Sequence, residues 1–429
     1  MAIGEIGLGI TLLSLAIWIY LLCFHGQFWR CNQHLDAQAT DVNNLPSVCA
    51  VIPARNEAQV LPVSLRSLLT QDYPGSLILI LVDDNSTDGT ARVAHSVGKG
   101  LGIPIIDTPK TSKQNTPPDN DPQLHILSGK PLPPGWTGKL WAIQQGTEYA
   151  QTLTPNPHYF LLTDADIEHE PQNLRKLVAK AQQNDLDLVS LMVRLRCESF
   201  WEKLLIPAFV FFFQKLYPFP WVNNPSKSTA AAAGGCILIT REALNRIGGI
   251  QIVKNALIDD CTLAQAVKLG RSSLEITEEY HNTKGHIWLG LSDSTRSLRP
   301  YPSLTTIWEM VARTAFTQLN YSPWLLLGTL LGMSLIYIVP PVGTVLGVLT
   351  GNGLIAIASV PPAWVIASFS TWLLMTVAYL PTIRFYRCSP LLAFCLPAIA
   401  FLYTLMTLDS ALRHWQGRGG NWKGRIYSG

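Results

Sequence analysis

The chain has 429 residues, of which 48 % are hydrophobic and 14 % charged, with a formal net charge of +3. Globular domains carry about 25 % charged residues, so much of this chain never meets water, and so small a net charge gives no argument for nucleic acid. Eight cysteines, at positions 23, 31, 49, 197, 236, 261, 388 and 395, include no C-x-x-C pair; a zinc ribbon or dithiol redox motif is unsupported, and they read as reduced, mostly buried thiols.

In chain order, the first element is Ile3 to Phe24, apolar except for Glu5. It is long enough to cross a hydrocarbon core of about 30 Å. A cleaved signal peptide needs a basic start and a small-residue cleavage site. This run instead starts with Glu5 and exits through Cys23-Phe24-His25-Gly26-Gln27-Phe28-Trp29-Arg30. Residues 1–28 are expected to be an uncleaved anchor.

From about 45 the charge and turn content become those of a soluble domain, expected over 45–320. Ser47–Ile52 and Leu77–Val82 read as strands, Glu57–Thr70 and the run from Thr90 as helices. This alternation predicts an α/β layered sheet. Asp107–Gln123, rich in Pro, Thr and Asn, reads as a mobile loop. Phe200–Trp221 is aromatic-rich, with two kinds of interruption: charges at Glu202, Lys203 and Lys215, and prolines. It is expected to lie as a helix in the membrane interface beside the soluble domain; a core helix of that domain is the competing reading.

Between Arg313 and Arg384 there is no Asp, Glu, Lys or Arg. Those roughly 70 residues make about 105 Å of helix, two long crossings or three short ones. Pro340/Pro341 and Pro361/Pro362 mark breaks or kinks, and Pro390–Leu408 makes a further span. About three transmembrane helices are expected over 321–410, followed by a basic tail, 411–429. The positive-inside rule asks for Arg384 and Arg387 on the cytoplasmic side, and for tail residues Arg413, Arg418, Lys423 and Arg425 there too. One span separates the two groups, so the demands conflict.

Three pairs have the spacing D-x-D: Asp119/Asp121, Asp164/Asp166 and Asp185/Asp187. The first lies in the Pro-rich stretch and the second closes an apolar strand (YFLLTDAD). The third precedes an apolar run, at the entrance of a strand. Ligands of open α/β sheets bind outside the carboxyl ends of strands, which singles out Asp164/Asp166. Hard carboxylate oxygens there suit Mg²⁺ or Mn²⁺; Asp also favours surface turns on its own account. Two more strand ends carry polar groups, Pro53-Ala54-Arg55-Asn56-Glu57 and Asp83-Asp84-Asn85-Ser86-Thr87-Asp88. The second reads either as turn and helix cap or as a carboxylate for a base or ribose. Asp259-Asp260 opens a helical pattern; it reads as ordinary acidic residues at a helix start or as a general base.

Together these residues resemble the family 2 glycosyltransferases, which have the GT-A fold: an α/β mixed sheet with flanking helices, here with N- and C-terminal transmembrane helices. Val51-Ile52-Pro53-Ala54-Arg55-Asn56-Glu57 resembles the family's opening strand and nucleotide loop, and Val82–Asp88 its base-binding motif. Gly138-Lys139-Leu140-Trp141-Ala142 is similar to its G-K-x-x-A segment, which implies that Lys139 faces the diphosphate. The resemblance implies Asp164 and Asp166 as metal ligands, with Asp164 also facing the ribose, and Asp260 beside Asp259 as the catalytic base. The stretches GWTGKLWAIQQG, SFWEKLLIPAFVFFFQKLYPFPW, TAAAAGGCILITREAL and GRGGNWKGRIY resemble the hopene-associated glycosyltransferases of bacterial hopanoid gene clusters.

The resemblance implies inverting transfer of a single sugar from a nucleotide diphosphate sugar, a UDP-sugar being favoured, to a hopanoid-related lipid. A ceramide-type or polyprenyl acceptor is an alternative. It also implies a divalent cation, no nucleic acid partner, and a multi-pass protein of the inner (plasma) membrane with its catalytic domain cytoplasmic. Gly234 and Gly235 are expected to let the acceptor approach the backbone, tight packing being the other reading. The family's Q/R-x-x-R-W appears only as Met310-Val311-Ala312-Arg313-Thr314. Arg313 is the first candidate to hold the leaving diphosphate, and Arg299, in an R-x-x-R spacing with Arg296, the second. Two other classes remain: a non-catalytic GT-A-like scaffold, and a processive synthase, against which Thr314 stands in place of the channel tryptophan.

Overall fold

The computed structural model describes residues 2–35, 45–108, 122–153, 156–270, 284–351, 361–418, 421–422 and 425–426. Asp119/Asp121 and most of the Asp107–Gln123 stretch lie outside them. The chain divides into two compact units: Asn32–Arg196 with Trp221–Pro300, and Met1–Cys31 with Cys197–Pro220 and Tyr301–Gly429.

The first unit is built on a nine-stranded mixed sheet of order β3-β4-β2-β1-β5-β8-β7-β9-β6. Its strands are β1 (Val48–Ala54), β2 (Leu77–Asp83), β3 (Ile105–Thr108), β4 (Gln123–Ser128), β5 (Tyr159–Thr163), β6 (Ile167–Glu168), β7 (Leu188–Arg194), β8 (Cys236–Thr240) and β9 (Ile287–Ser297). β1 is an unbroken apolar run, and β5 and β7 are mostly apolar; all three are buried almost from end to end, as strands covered on both faces must be. β1 pairs in parallel with β2 and β5, so the carboxyl ends of all three lie along one edge. β8 pairs antiparallel with β5, Thr163 opposite Cys236. The start of β8, and the glycines before it, thus reach that same edge. The two-residue β6 pairs antiparallel with the end of β9, Ile167 opposite Ser297. The Asp185/Asp187 pair is structural: Asp187 accepts Arg246 Nη2 and the His286 N–H, at 2.7 and 2.8 Å.

Among the described residues, the second unit holds four helices long and apolar enough to cross a membrane: Gly4–Phe24, Pro323–Thr350, Pro362–Phe385 and Pro390–Trp415. Pro340 and Pro341 do not break the second of these. Neither has an N–H, so the Ile336 carbonyl has no partner at either helical spacing. The helix takes a π turn over Ser334–Ile338, and the Trp18 indole donates to that carbonyl at 2.9 Å.

Phe200–Leu216 is grouped with the apolar helices. Phe211 packs on Tyr379, and Phe212 on Tyr337 and Tyr403, at centroid distances of 5.1–5.8 Å. Its acidic residue, Glu202, is fully buried and accepts the N–H groups of Glu198, Ser199 and Tyr301 at 2.7–2.9 Å. A helix-capping carboxylate is thus compatible with an apolar setting.

The charge conflict also resolves in this unit. The N-terminal helix runs parallel to Pro362–Phe385, with Gly7 under Trp364, Thr11 by Ser368, and Cys31 by Thr382. After Arg387 the chain turns back inward, where the Phe394 carbonyl accepts the Trp372 indole at 3.2 Å. Leu396–Trp415 then runs out again: Ser410 accepts the Phe316 N–H, and His414 stacks on Tyr321 beside the start of the Pro323 helix. The last apolar helix therefore begins inside the bundle, and Arg384, Arg387, Arg413 and Arg418 gather at one end. The cysteines depart from expectation: only Cys49, Cys236 and Cys261 are buried, and Cys23 is exposed.

Candidate active site

The end of β5, the turn before β8 and two helix starts supply the polar groups of one pocket. Pro53, Lys139, Thr163, Asp164, Gly234, Asp259 and Asp260 line it, over an apolar floor that includes Leu140, Ile143, Leu162 and Leu263. Lys139 sits in the first turn of the helix Gly138–Ala150, whose N-cap Thr137 accepts the Leu140 N–H. Its Nζ lies 3.0 Å from Asp164 Oδ1 and 3.2 Å from Asp259 Oδ2. Burial works against this ammonium, but Asp164, Asp259 and Asp260 together outweigh it and raise its pKa above the usual lysine value.

Asp259 and Asp260 open the helix Asp259–Leu269. Asp260 Oδ2 accepts the Gly234 N–H and Oδ1 the Cys261 N–H, both at 2.8 Å. Burial, then the charge of Asp259, push the Asp260 carboxyl up to about 6, against Lys139 and those two N–H groups. A carboxylate held this way is unprotonated at neutral pH yet basic enough to take a proton.

Asp166 has other partners than Asp164, which pairs with Lys139. It is 5 % exposed and accepts Ser297 Oγ at 2.8 Å and Arg299 Nε at 3.2 Å. Burial raises its pKa, Arg299 opposes this, and Asp164 adds to it. The β6–β9 pairing makes the contact, because it carries the chain past Ser297 and lets Leu298 N–H bond the Asp166 carbonyl at 2.8 Å. Arg299 also reaches Glu57 Oε1 at 2.7 Å. Arg296, its partner in the R-x-x-R spacing, bonds Glu168 instead.

At the other side of the edge, Arg55 Nη1 donates to the Asp84 carbonyl at 2.6 Å and lies 3.6 Å from its Oδ2. Asp83 accepts the Ser86 N–H, and Asn56 Oδ1 the Thr87 N–H. These bonds lace the loops after β1 and β2 together. Asn56 and Asn85 hold left-handed backbone, at φ 53° and 54°, which Asn tolerates.

Side chains crowd both Gly234 and Gly235. A Cβ on Gly234 would stand 3.1 Å from Lys139 Nζ and 3.4 Å from Asp260 Oδ2; one on Gly235 would meet Val193 and Ile167 at 3.1–3.3 Å. Of the expected site residues, Arg313 alone lies in the helical unit, closing the helix Leu304–Ala312. Sequence reasoning missed Ser297, Thr163 and Lys268. Ser297 and Thr163 carry no signal until β-register is known, and Lys268 looks like any lysine in a last helical turn.

Among the described residues no three His, Cys, Asp or Glu side chains converge as a metal cage. Mg²⁺ and Mn²⁺ need less, since substrate phosphates and water complete their shell. Asp164 and Asp166 each keep one carboxylate oxygen outside the bonds described above, so this donor set fits such an ion.

Residues 49–115 and 124–248 match the family model described as Glycosyl transferase family 2. Among curated proteins, the 4,4'-diaponeurosporenoate glycosyltransferases of Staphylococcus aureus strains are similar, at 31 % identity over 137 residues. The match covers 32 % of this chain and only 28 % of those relatives' length. Among solved structures, a mannosyltransferase from Pyrobaculum calidifontis in complex with GDP-Man and Mn²⁺ has a TM-score of 0.52 at 15 % identity, covering 95 % of this chain and 98 % of its own. The chain shares that fold, a mixed sheet flanked by helices.

Proposed function

We propose that this chain, whose sheet unit carries the family 2 glycosyltransferase pattern, is a membrane-bound enzyme that transfers a single sugar from a nucleotide diphosphate sugar to a lipid hydroxyl with inversion. One observation carries the reading: the Asp260 carboxylate, oriented by the Gly234 N–H, shares a pocket with the Lys139–Asp164 pair. A base for the acceptor and a cation for the leaving group thus stand together.

In the reaction proposed, the acceptor hydroxyl loses its proton to Asp260 while its oxygen bonds the anomeric carbon. The bond from that carbon to the diphosphate breaks, and the electron pair leaves with the diphosphate. The transition state is oxocarbenium-like, as in glycoside hydrolysis. Lys139 lies where it can balance the charge on the leaving group, a preorganised electrostatic role. Arg299, which bonds Asp166 and Glu57, and Arg313 are the two candidates to hold the leaving diphosphate. Arg55, Asp83 and Asp84 would hold base and ribose, with Pro53, Ala54 and Glu57 shaping that loop. Asp164 and Asp166 would hold Mg²⁺ or Mn²⁺, which supplies Lewis-acid stabilisation of the diphosphate.

A lipid acceptor is supported by the four apolar helices and by relatives named for a carotenoid acid. A hopanoid-related acceptor rests on the stretches quoted from the sequence. The basic end of the helical bundle supports a cytoplasmic orientation for that end. The test is a radiolabelled transfer assay on purified membranes, with a panel of nucleotide sugars, with and without Mn²⁺. Label should enter the lipid extract only with metal and only with Asp260 intact. Transfer that survives Asp260→Asn would move the base elsewhere, and products longer than one sugar would indicate a processive enzyme.

A further inference from the structure

Lys268 is a buried lysine, 3 % exposed, at the end of the helix Asp259–Leu269. Lysines in a last helical turn ordinarily reach solvent or the last carbonyls. This one turns inward, and its Nζ lies within hydrogen-bond reach of four backbone carbonyls: Trp221 at 3.2 Å, Val222 at 2.6 Å, Asn224 at 3.0 Å and Thr229 at 2.7 Å. Among the described residues no carboxylate pairs with it. Four carbonyl dipoles aimed at one point repel each other unless a cation sits there. Backbone carbonyls cage monovalent cations in the same way.

The same helix grips the next residues of this segment. Cys261, seven positions before Lys268 and so on the same helical face, reaches the Ala232 carbonyl at 3.5 Å. Asp260 takes the Gly234 N–H. The segment is also tied to the sheet: Asn223 bonds both the N–H and the carbonyl of Leu289, Ser190 bonds Ala233, and Thr163 bonds the Gly235 carbonyl. The 221–235 segment therefore runs back along the helix, with an ammonium at one end and the Asp260 carboxylate at the other.

We infer that Lys268 is a positioning residue for Asp260: a tethered cation around which 221–229 folds, so that Ala230–Gly235 meets the carboxylate in register. This rests on Asp260 being the base. Arg55, Asp84, Lys139, Asp164 and Asp166 come from other elements, so donor binding should not depend on Lys268.

The test uses the full chain in lipid nanodiscs, as wild type, Lys268→Ala and Lys268→Met. UDP binding with Mn²⁺ is measured by calorimetry. Transfer is measured with the donor that serves the wild type, and hydrogen exchange is followed over 221–235. K268A should keep UDP affinity within about twofold, exchange faster over 221–235, and lose about tenfold or more in transfer, the cost of a misplaced base. Ammonium or K⁺ should restore K268A on both counts, because either fits the emptied cage. Neither should restore K268M, whose side chain fills it. Wild-type transfer by K268A, or a loss that no small cation repairs, overturns the inference. If K268A does not fold, Lys268→Arg decides: its planar fork cannot replace a compact ammonium, so it should bind UDP but transfer at least about fivefold less, and full transfer overturns the inference. A wild type that neither binds nucleotide nor transfers sugar defeats the proposed function alone, since the cation-dependent exchange of 221–235 still tests Lys268.

Discussion

Lowering the pH should switch sugar transfer off with a midpoint near 6, and Asp259→Asn should move that midpoint down. Burial and then the charge of Asp259 lift the Asp260 carboxyl from 3.8 to about 6. At ~1.36 kcal/mol per pH unit, the rise corresponds to about 3 kcal/mol against the charged form. A base works only unprotonated. Transfer should therefore be constant above the midpoint and fall about tenfold per pH unit below it. Asp259 is the second of the two causes, so its removal should move the midpoint down from about 6 toward the ordinary carboxylate value. Asp259 is also 3.2 Å from Lys139, so the plateau rate will change too; the position of the acid limb is the readout. The assay is kcat/KM for labelled transfer from pH 4.5 to 8 with metal saturating. An acid limb near 4 in the wild type, or one that Asp259→Asn leaves in place, would refute the reasoning.

Asp164→Asn and Asp166→Asn should each weaken Mn²⁺-dependent UDP binding by about tenfold or more, and equal calorimetric affinities would remove these residues from the metal reading. Gly234→Ala puts a Cβ 3.1 Å from Lys139 Nζ; it should lower kcat at a stability cost of about 1 kcal/mol, and an unchanged kcat would show that the lysine can move freely. Arg299→Met takes the guanidinium from Asp166 and Glu57. Its thermal stability should drop and be partly regained with Mn²⁺, which can take over at Asp166; a drop that Mn²⁺ leaves untouched argues against that exchange. Trp18→Phe keeps a ring but strips the Ile336 carbonyl of its donor, and should cost about 1–3 kcal/mol in thermal unfolding; no shift would mean the carbonyl finds another donor.

The fold class was legible because buried strands and membrane helices announce themselves through composition. β1 and β2 are unbroken apolar runs of seven and six residues, each leading into polar groups. The helices after them carry buried faces at helical spacing. The polar strand ends were legible too, since parallel pairing lines up carboxyl ends and nothing else need be known. Other features depended on groups far away in the chain. Pro340 and Pro341 read as a break or a kink, and only the fold shows a continuous helix with a π turn whose freed carbonyl takes the Trp18 donor. Glu202 read as a charge unsuited to an apolar setting until three N–H groups surrounded it. Gly234 read either as room for an acceptor or as tight packing, and only the fold shows that a Cβ there would crowd Lys139 and Asp260.

By itself, the sequence determined the layered sheet, the apolar helices and which strand ends bear carboxylates, because these follow from local periodicity and from which residues avoid water. Tertiary structure alone decided which cation meets which carboxylate. Lys139 faces Asp164 and Asp259, Arg299 faces Asp166, and Lys268 faces no carboxylate among the described residues but four carbonyls. Those pairings span up to 133 residues of chain and depend on strand register, where a shift of one residue turns every side chain to the opposite face.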